Sequence, residues 1–332
     1  MIVDVRIGRR SVLGGLFFSM GGAAWAASTD RRDNVIGVLQ TASLTTNASA
    51  RTIEVLRKSL REEGLVEGQN LKLLLRSAEG DPLTLPTLAT ELVSHPVHVL
   101  FAFGPAAVQA AASATRTLPI VALDLESDPV RAGWARTLSQ PGGNVTGLFL
   151  NLPELAGKWL ELLREMLPRV ERVGALWDAT TGSAQADAVR EAATQLRVSL
   201  KVHPLRSAGE MSSALDAARA AGAQALVMLS SPLTRNASRQ VAEFSARHGL
   251  PAISPFRAFP DAGGLVSYGP DLDYYFARTA SFAGKILRGA SVGQLPIEQP
   301  AKFELIVNAA AARALHVSVP QAVLLRANEV IQ

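Results

Sequence analysis

The residues able to do chemistry are few, and they stand apart from one another. Asp124 and Asp178 each end a short apolar run, and Ser230, Ser231 and Asp271 precede helical stretches. Carboxylates so placed can move protons, cap helices or hold a ligand's amine. No carboxylate pair or H-x-x-x-H stands at catalytic spacing on one helix face. Capping or ligand contact is therefore the better reading of these acids. The histidines are His95, His98, His203, His248 and His316. Only His95 and His98 are close in sequence, and they flank the start of a strand, at the end away from any cleft. That is a poor place for a metal pair. Cysteine is absent, which excludes a thiol nucleophile, a cysteine-ligated zinc and a disulfide framework. The G-x-G-x-x-G and G-x-x-x-x-G-K-[ST] patterns are missing as well, and the one G-x-S-x-G, Gly289 to Gly293, follows a helix instead of a strand and is no nucleophile elbow. Gly142-Gly143 precedes a strand rather than a helix and reads as a turn. No cofactor, no metal and no catalysis are expected.

The elements that must position these residues alternate. Short apolar runs of strand length (Val35 to Leu39, Leu71 to Leu75, Val97 to Phe103, Pro119 to Leu123) are separated by stretches with helical spacing, such as Ile53, Leu56 and Leu60. Asp81-Pro82 announces a helix start, and Gly64 a helix stop. The pattern restarts with an amphipathic helix from Leu155 to Leu167. Strands follow at Arg172 to Trp177, Ser199 to Val202, Ala225 to Leu229, Pro251 to Ser254, Leu265 to Tyr268 and Phe303 to Val307. A single helix is predicted from 234 to 249, and another from 271 to 288. Such alternation predicts α/β architecture, with parallel sheets covered by helices. Two sets, of about four and about five strands, favour two similar lobes over one large sheet.

In open parallel sheets, ligands bind beyond the carboxyl ends of the strands, beside helix N-termini. Those positions here are Gln40-Thr41-Ala42, Gly104-Pro105-Ala106, Asp124-Leu125, Asp178-Ala179, Ser230-Ser231-Pro232, Pro255-Phe256 and Tyr268-Gly269-Pro270. As a set they suit a small ligand whose carboxylate meets free backbone N–H groups.

The chain has 332 residues, 48% hydrophobic and 19% charged, enough for about two domains with a sizeable core. Residues 1 to 26 read as an export signal. Arg9-Arg10 is followed by a weakly apolar run from Val12 to Ala24 and by Ala24-Trp25-Ala26 at a cleavage position. Arg9-Arg10-Ser11-Val12-Leu13 resembles a twin-arginine signal with Val in place of Phe. The formal charge is +4, and without this segment 30 basic residues face 28 acidic ones. That near balance argues against nucleic acid or a membrane surface as partner. The missing cysteine also removes a lipid anchor at the mature N-terminus. A freely diffusing periplasmic monomer is expected.

Several segments, taken in order, resemble a known family. They are Pro119-Ile120-Val121, Asp128-Pro129-Val130, PGGNVTG at 141 to 147 and Lys158-Trp159-Leu160-Glu161-Leu162-Leu163. GGLVSYGPD at 263 to 271, Lys285-Ile286-Leu287-Arg288-Gly289 and LPIEQPAKFELIVN at 295 to 308 follow. This collinear set is similar to the ABC-transporter substrate-binding proteins of the tryptophan/tyrosine-importer type, over nearly all of residues 34 to 332. The resemblance implies a type I periplasmic binding protein fold, two α/β lobes hinged by three crossovers, with ligand in the cleft. It implies one lobe of residues 27–148 with 269–292 and another of 149–268 with 293–332. PGGNVTG would be the first crossover. It implies a solute receptor, not an enzyme, that delivers an amino acid or an aromatic or branched carboxylate to an inner-membrane ABC permease. The alternatives are a receptor feeding a sensor kinase and an exported α/β enzyme using the same cleft. Carried over by position, the ligand-binding candidates are Gln40, Thr41, Phe103, Gly104, Ala106, Asp124, Asp178, Ser183, Ser230, Ser231, Tyr268 and Asp271. Asp124 or Asp178 would hold an amine. Pro105 follows Gly104 where relatives often carry Thr, which removes one N–H donor.

Overall fold

The computed structural model describes residues 34–299 and 302–332; the expected export signal at 1 to 26 lies outside them. The predicted apolar runs form strands. β1 (Asn34–Gln40), β2 (Leu71–Ser77), β3 (Val99–Phe103), β4 (Ile120–Asp124) and β5 (Val145–Phe149) make a five-stranded sheet in the order β2-β1-β3-β4-β5. Every pairing in it is parallel, with Ile36 beside Val99 and Ile120 beside Val145. β6 (Arg172–Asp178), β7 (Ser199–Leu205), β8 (Ala225–Met228), β9 (Ala252–Ser254), β10 (Val266–Pro270), β11 (Phe303–Asn308) and β12 (Glu329–Ile331) make the second sheet. Its order is β12-β11-β10-β9-β8-β6-β7. This sheet is mixed, because β10 and β11 pair antiparallel. The chain leaves β10 and comes back as its neighbour, which reverses direction.

The helices cover these sheets: α1 (Asn47–Glu62), α2 (Leu85–Ser94), α3 (Pro105–Ala114), α4 (Ala156–Met166), α5 (Ala184–Gln195), α6 (Met211–Ala220), α7 (Pro232–Asn236), α8 (Ser238–His248), α9 (Ala258–Asp261), α10 (Leu272–Leu287), α11 (Ala309–Ala314) and α12 (Gln321–Arg326). The single helix predicted from 234 is two. α7 begins at Pro232, capped by Ser231 Oγ, and breaks at Ala237 before α8. Pro at the first position costs α7 no hydrogen bond, because that N–H has no intrahelical partner anyway. Strands β1, β3, β4 and β5 are buried on both faces, as parallel strands between helix layers must be.

Helix α10 follows β10 of the second sheet in the chain but lies on the first. It packs on α1 and beside β3, β4 and β5. Gly284 has no Cβ to meet the Glu63 carboxylate on the end of α1. PGGNVTG is not itself a crossover. Its glycines make a turn and its Val145-Thr146-Gly147 is the start of β5, so the chain passes to the second sheet only after Leu150. Gly147, with φ +124°, lies against the Ala122 backbone of β4, where no side chain fits. The Pro-rich return also differs from a bare linker. Ile297 N donates to Leu138 O and Glu298 N to Gly147 O, and Phe149 N donates back to Glu298 O. Glu298 thus makes a single parallel bridge to Leu148 at the β5 edge of the first sheet. No described helix is long and apolar enough to cross a membrane.

Candidate functional site

The carboxyl ends of the two sheets converge on one cleft, divided into chambers. The inner chamber is lined from the first sheet by Gln40, Phe103, Leu123, Leu125 and Glu126. Leu272 and Phe276 on α10 add to this wall, and Ser231, Pro232, Arg235 and Phe256 stand opposite. It holds about 530 Å³ of atom-free space, its mouth included. Phe103 and Phe276 meet edge to face with ring centres 5.0 Å apart, a favourable arrangement of the two ring quadrupoles. The outer chamber is more polar. There Thr41, Gly104 and Ala106 face Asp178, Thr180, Thr181 and Arg206. Ala42, Gly104 and Pro232 border both chambers. Gly104 has φ +90°, a value only glycine holds without strain, and it turns the chain from β3 into α3 with Pro105 at the first helical position.

The cleft's buried acids have distinct tasks. Asp124 is fully buried. Its Oδ1 accepts from the N–H groups of Glu126 and Ser127, both at 2.9 Å, so it shapes the loop after β4. Its Oδ2 is buried without a partner. Burial raises its pKa above the usual carboxylate range. Glu126 is the carboxylate that faces the inner chamber. Burial, and next the charge of Asp124, push its pKa well above the ordinary value. Its Oε1 accepts a 2.6 Å hydrogen bond from Ser230 Oγ, which joins the loop after β4 to the loop after β8. Ser230 is held in turn by Gln185 of α5. The Gln185 amide accepts from Ser230 N at 2.7 Å and donates to Ser230 O at 2.8 Å. Asp178 faces the outer chamber, but its Oδ1 is occupied by Thr180 N and Thr180 Oγ1.

Of the other sequence candidates, Gln40, Phe103, Gly104 and Ser231 border the inner chamber, and Thr41, Gly104 and Ala106 the outer one. Gln40 directs its amide to Ala42 O at 2.7 Å. Asp271 borders a side recess with Arg51, Arg235 and Glu304. It caps α10 through Tyr274 N and pairs with Lys302 at 2.6 Å. Ser183 is exposed and borders none of these chambers. Tyr268 is also outside them. It stacks on Phe303, and its carbonyl accepts from the buried Trp159 Nε1 at 2.7 Å. His95 and His98 are spent on the backbone, at Glu91 O and Val35 N, and no metal-binding cluster exists among the described residues.

Sequence reasoning missed Glu126, Arg235, Leu272 and Phe276, and it reached Phe256 only as a strand-end position. Arg235 is the most consequential. Its Nε is buried with no hydrogen-bond partner, at the wall shared by the inner chamber and the side recess. Burial lowers its pKa, with Asp273 acting the other way; arginine nonetheless stays charged in proteins. The available signal was its place in the first turn after Ser231, directly behind a strand end. Leu272 and Phe276 are four residues apart on one helix face, a spacing that reads equally well as core.

The profile of the family described as "ABC transporter substrate binding protein" matches residues 36–331. A tyrosine-binding protein of Clostridioides difficile is 25% identical over 262 residues, which are 78% of this chain and 74% of that protein. Among solved structures, a conserved domain protein from Vibrio cholerae superposes with a TM-score of 0.81 at 27% identity, over 90% of this chain and 100% of that one. The ABC domain from Streptococcus pneumoniae in complex with L-Trp superposes with a TM-score of 0.80 at 24% identity, over 90% and 100%. The ligand-free, open form of a substrate-binding protein with adhesive properties from Clostridium difficile reaches 0.62 at 25% identity, over 90% and 99%. A cleft between two helix-covered sheets and a family match over almost the whole length lead to one conclusion: this chain belongs to the ABC transporter substrate-binding proteins.

Proposed function

We propose that this protein is a periplasmic solute receptor of an ABC importer. It binds an amino acid, or a related aromatic or branched carboxylate, by closing two lobes around it, and it catalyses nothing. The observation that carries this reading is the inner chamber itself. Its walls come from both sheets, its lining is mostly aromatic and aliphatic, and its polar residues Gln40, Thr52, Glu126 and Ser231 are buried, with the Arg235 Nε buried beside them. Pockets of that make-up suit small amphipathic ligands. The relatives named for tyrosine and complexed with L-Trp support the ligand class.

The lobes are residues up to 150 with the segment from α10 to Glu298, and 151–270 with the C-terminal strands. The third crossing falls after Glu298, because Glu298 is hydrogen-bonded to β5 of the first sheet. The Ser230–Glu126 hydrogen bond crosses between the lobes and belongs to the closed form. Shifting a hinge from about 1% to 99% closed takes about 5.5 kcal/mol of differential binding. A micromolar Kd corresponds to about 8.2 kcal/mol, which covers it. The export segment at 1–26 carries the chain to the periplasm as a monomer, where the closed form docks on the permease.

Differential scanning calorimetry with a panel of amino acids and aromatic acids tests the reading. A true ligand at 100 times its Kd stabilises by about 2.7 kcal/mol. A panel without any shift or heat of binding refutes it, and so does chemical conversion of a bound ligand seen by mass spectrometry.

A further inference from the structure

We propose that Arg235 and Glu126 are the two charged poles of the inner chamber: Arg235 takes the ligand's carboxylate, Glu126 takes its ammonium, and the aromatic wall between takes its side chain. This deepens the receptor reading and rests on it.

The case begins with a group that has no partner. Arg235 Nε is buried and unpaired. Asp273, whose charge acts on Arg235, is already held by Arg51, whose Nε and Nη2 donate to Asp273 Oδ2 at 3.1 and 2.6 Å. An unpaired buried donor on a cation costs its full desolvation. It persists where a ligand completes it, and a guanidinium is built to meet a carboxylate in its own plane. Helix N-termini are the weaker choice for that carboxylate. Pro105 and Pro232 open α3 and α7 at the chamber, and each lacks the N–H a ligand would use.

The opposite pole follows from charge. Asp124, Glu126 and Asp178 are buried about the cleft, while Arg235 is the cation on the inner chamber's wall. A buried carboxylate beside another must either keep a proton or meet a positive charge. Asp124 has one oxygen engaged by two backbone N–H groups, and Asp178 is tied to Thr180 in the outer chamber. Glu126 alone of the three borders the inner chamber. An ammonium there replaces the proton that burial and Asp124 favour on Glu126. The same carboxylate touches Ser230, so ligand charge is felt at the contact between the lobes. Phe103, Phe276 and Leu272 then leave a planar or branched apolar side chain as the third requirement.

The test uses isothermal titration calorimetry with L-phenylalanine, L-tyrosine and L-tryptophan. 3-Phenylpropanoate lacks the amine, and phenethylamine lacks the carboxylate. On the unaltered protein, each truncated analogue is expected to bind about 100-fold more weakly than the amino acid, the value of a charge-assisted hydrogen bond. Arg235→Met is expected to weaken the amino acid about 100-fold and leave phenethylamine within about twofold. Arg235→Lys is expected to recover part of the loss. Glu126→Gln is expected to do the converse, sparing 3-phenylpropanoate. Melting curves of each variant establish folding, and the analogue series on the unaltered protein does not depend on it. Variants that lower all ligands equally, or none, overturn the assignment of poles while the receptor reading stands. Unaltered protein that binds none of the three, nor L-leucine, L-isoleucine or L-valine, overturns the assignment of poles, and only a full panel without binding overturns the receptor reading as well.

Discussion

The two walls of the inner chamber are built from like elements but differ in chemistry. The first sheet and α10 contribute Phe103, Leu123, Leu125, Leu272 and Phe276, with Glu126 as their charged member. The second sheet's side contributes Ser231, Pro232 and Arg235, with Phe256 as its aromatic member. One wall is chiefly apolar with an anion, the other chiefly polar with a cation. Neither is complete alone. An apolar wall holds an open-form ligand by burial, which is non-directional. On the receptor reading proposed above, the polar wall adds directional bonds only when the cleft closes. Such a division makes closure depend on the ligand, because only a molecule that satisfies both walls gains from bringing them together.

The comparison is broken most severely by emptying the apolar wall. Phe276→Ala removes the ring that meets Phe103 edge to face. A loss of about 3–5 kcal/mol of stability is expected from chemical denaturation, with weaker affinity for every ligand regardless of charge. The contact between the walls comes next. Ser230→Ala leaves the buried Glu126 Oε1 without its 2.6 Å donor, at a cost of about 1–3 kcal/mol. Small-angle scattering of the ligand-free variant is expected to show a more open molecule than the unaltered protein. An unchanged profile would mean that the bond does not help to hold the lobes together.

The smallest effect is a pH slope, which sharpens the assignment of the anion. The folded-state pKa of Glu126 lies well above its unfolded value, because of burial and then Asp124. Its favourable contribution is thus fully present below the ordinary carboxylate pKa and is lost as pH rises through the raised one. Asp124, also raised by burial, acts in the same direction. Ligand-free protein is expected to lose stability on that rise, by at most about 1.4 kcal/mol per pH unit for each proton released. Glu126→Gln is expected to flatten the slope. A melting temperature equally pH-dependent in the variant would assign the proton elsewhere.

Much of the architecture was legible along the chain. Strand-length apolar runs and helices at 3.6 spacing announced the parallel sheets, since these patterns depend on neighbours close in sequence. The short β12 and the break at Ala237 between α7 and α8 carried no comparable signal. The antiparallel β10–β11 pair was also invisible, because pairing direction follows from where the chain returns. For the site, strand-end logic reached Gln40, Phe103, Gly104, Ser231 and Asp178. It chose Asp124, whose neighbour two residues on, Glu126, is the one that borders the chamber. The turn at Asp124 Oδ1 directs the chain so that the acid at 126 faces inward, and no spacing rule encodes that.

By itself, then, the sequence determined the fold class, the export segment as an expectation, the absence of thiol chemistry and the loops that border the cleft. Each depends on composition, periodicity or a local turn preference. Only the tertiary structure decided that Arg235 has a buried nitrogen with nothing to bond, and that Glu126 reaches Ser230 across the cleft. The second joins residues 104 positions apart. Burial and unmet hydrogen bonds belong to the space around a side chain, and packing creates that space.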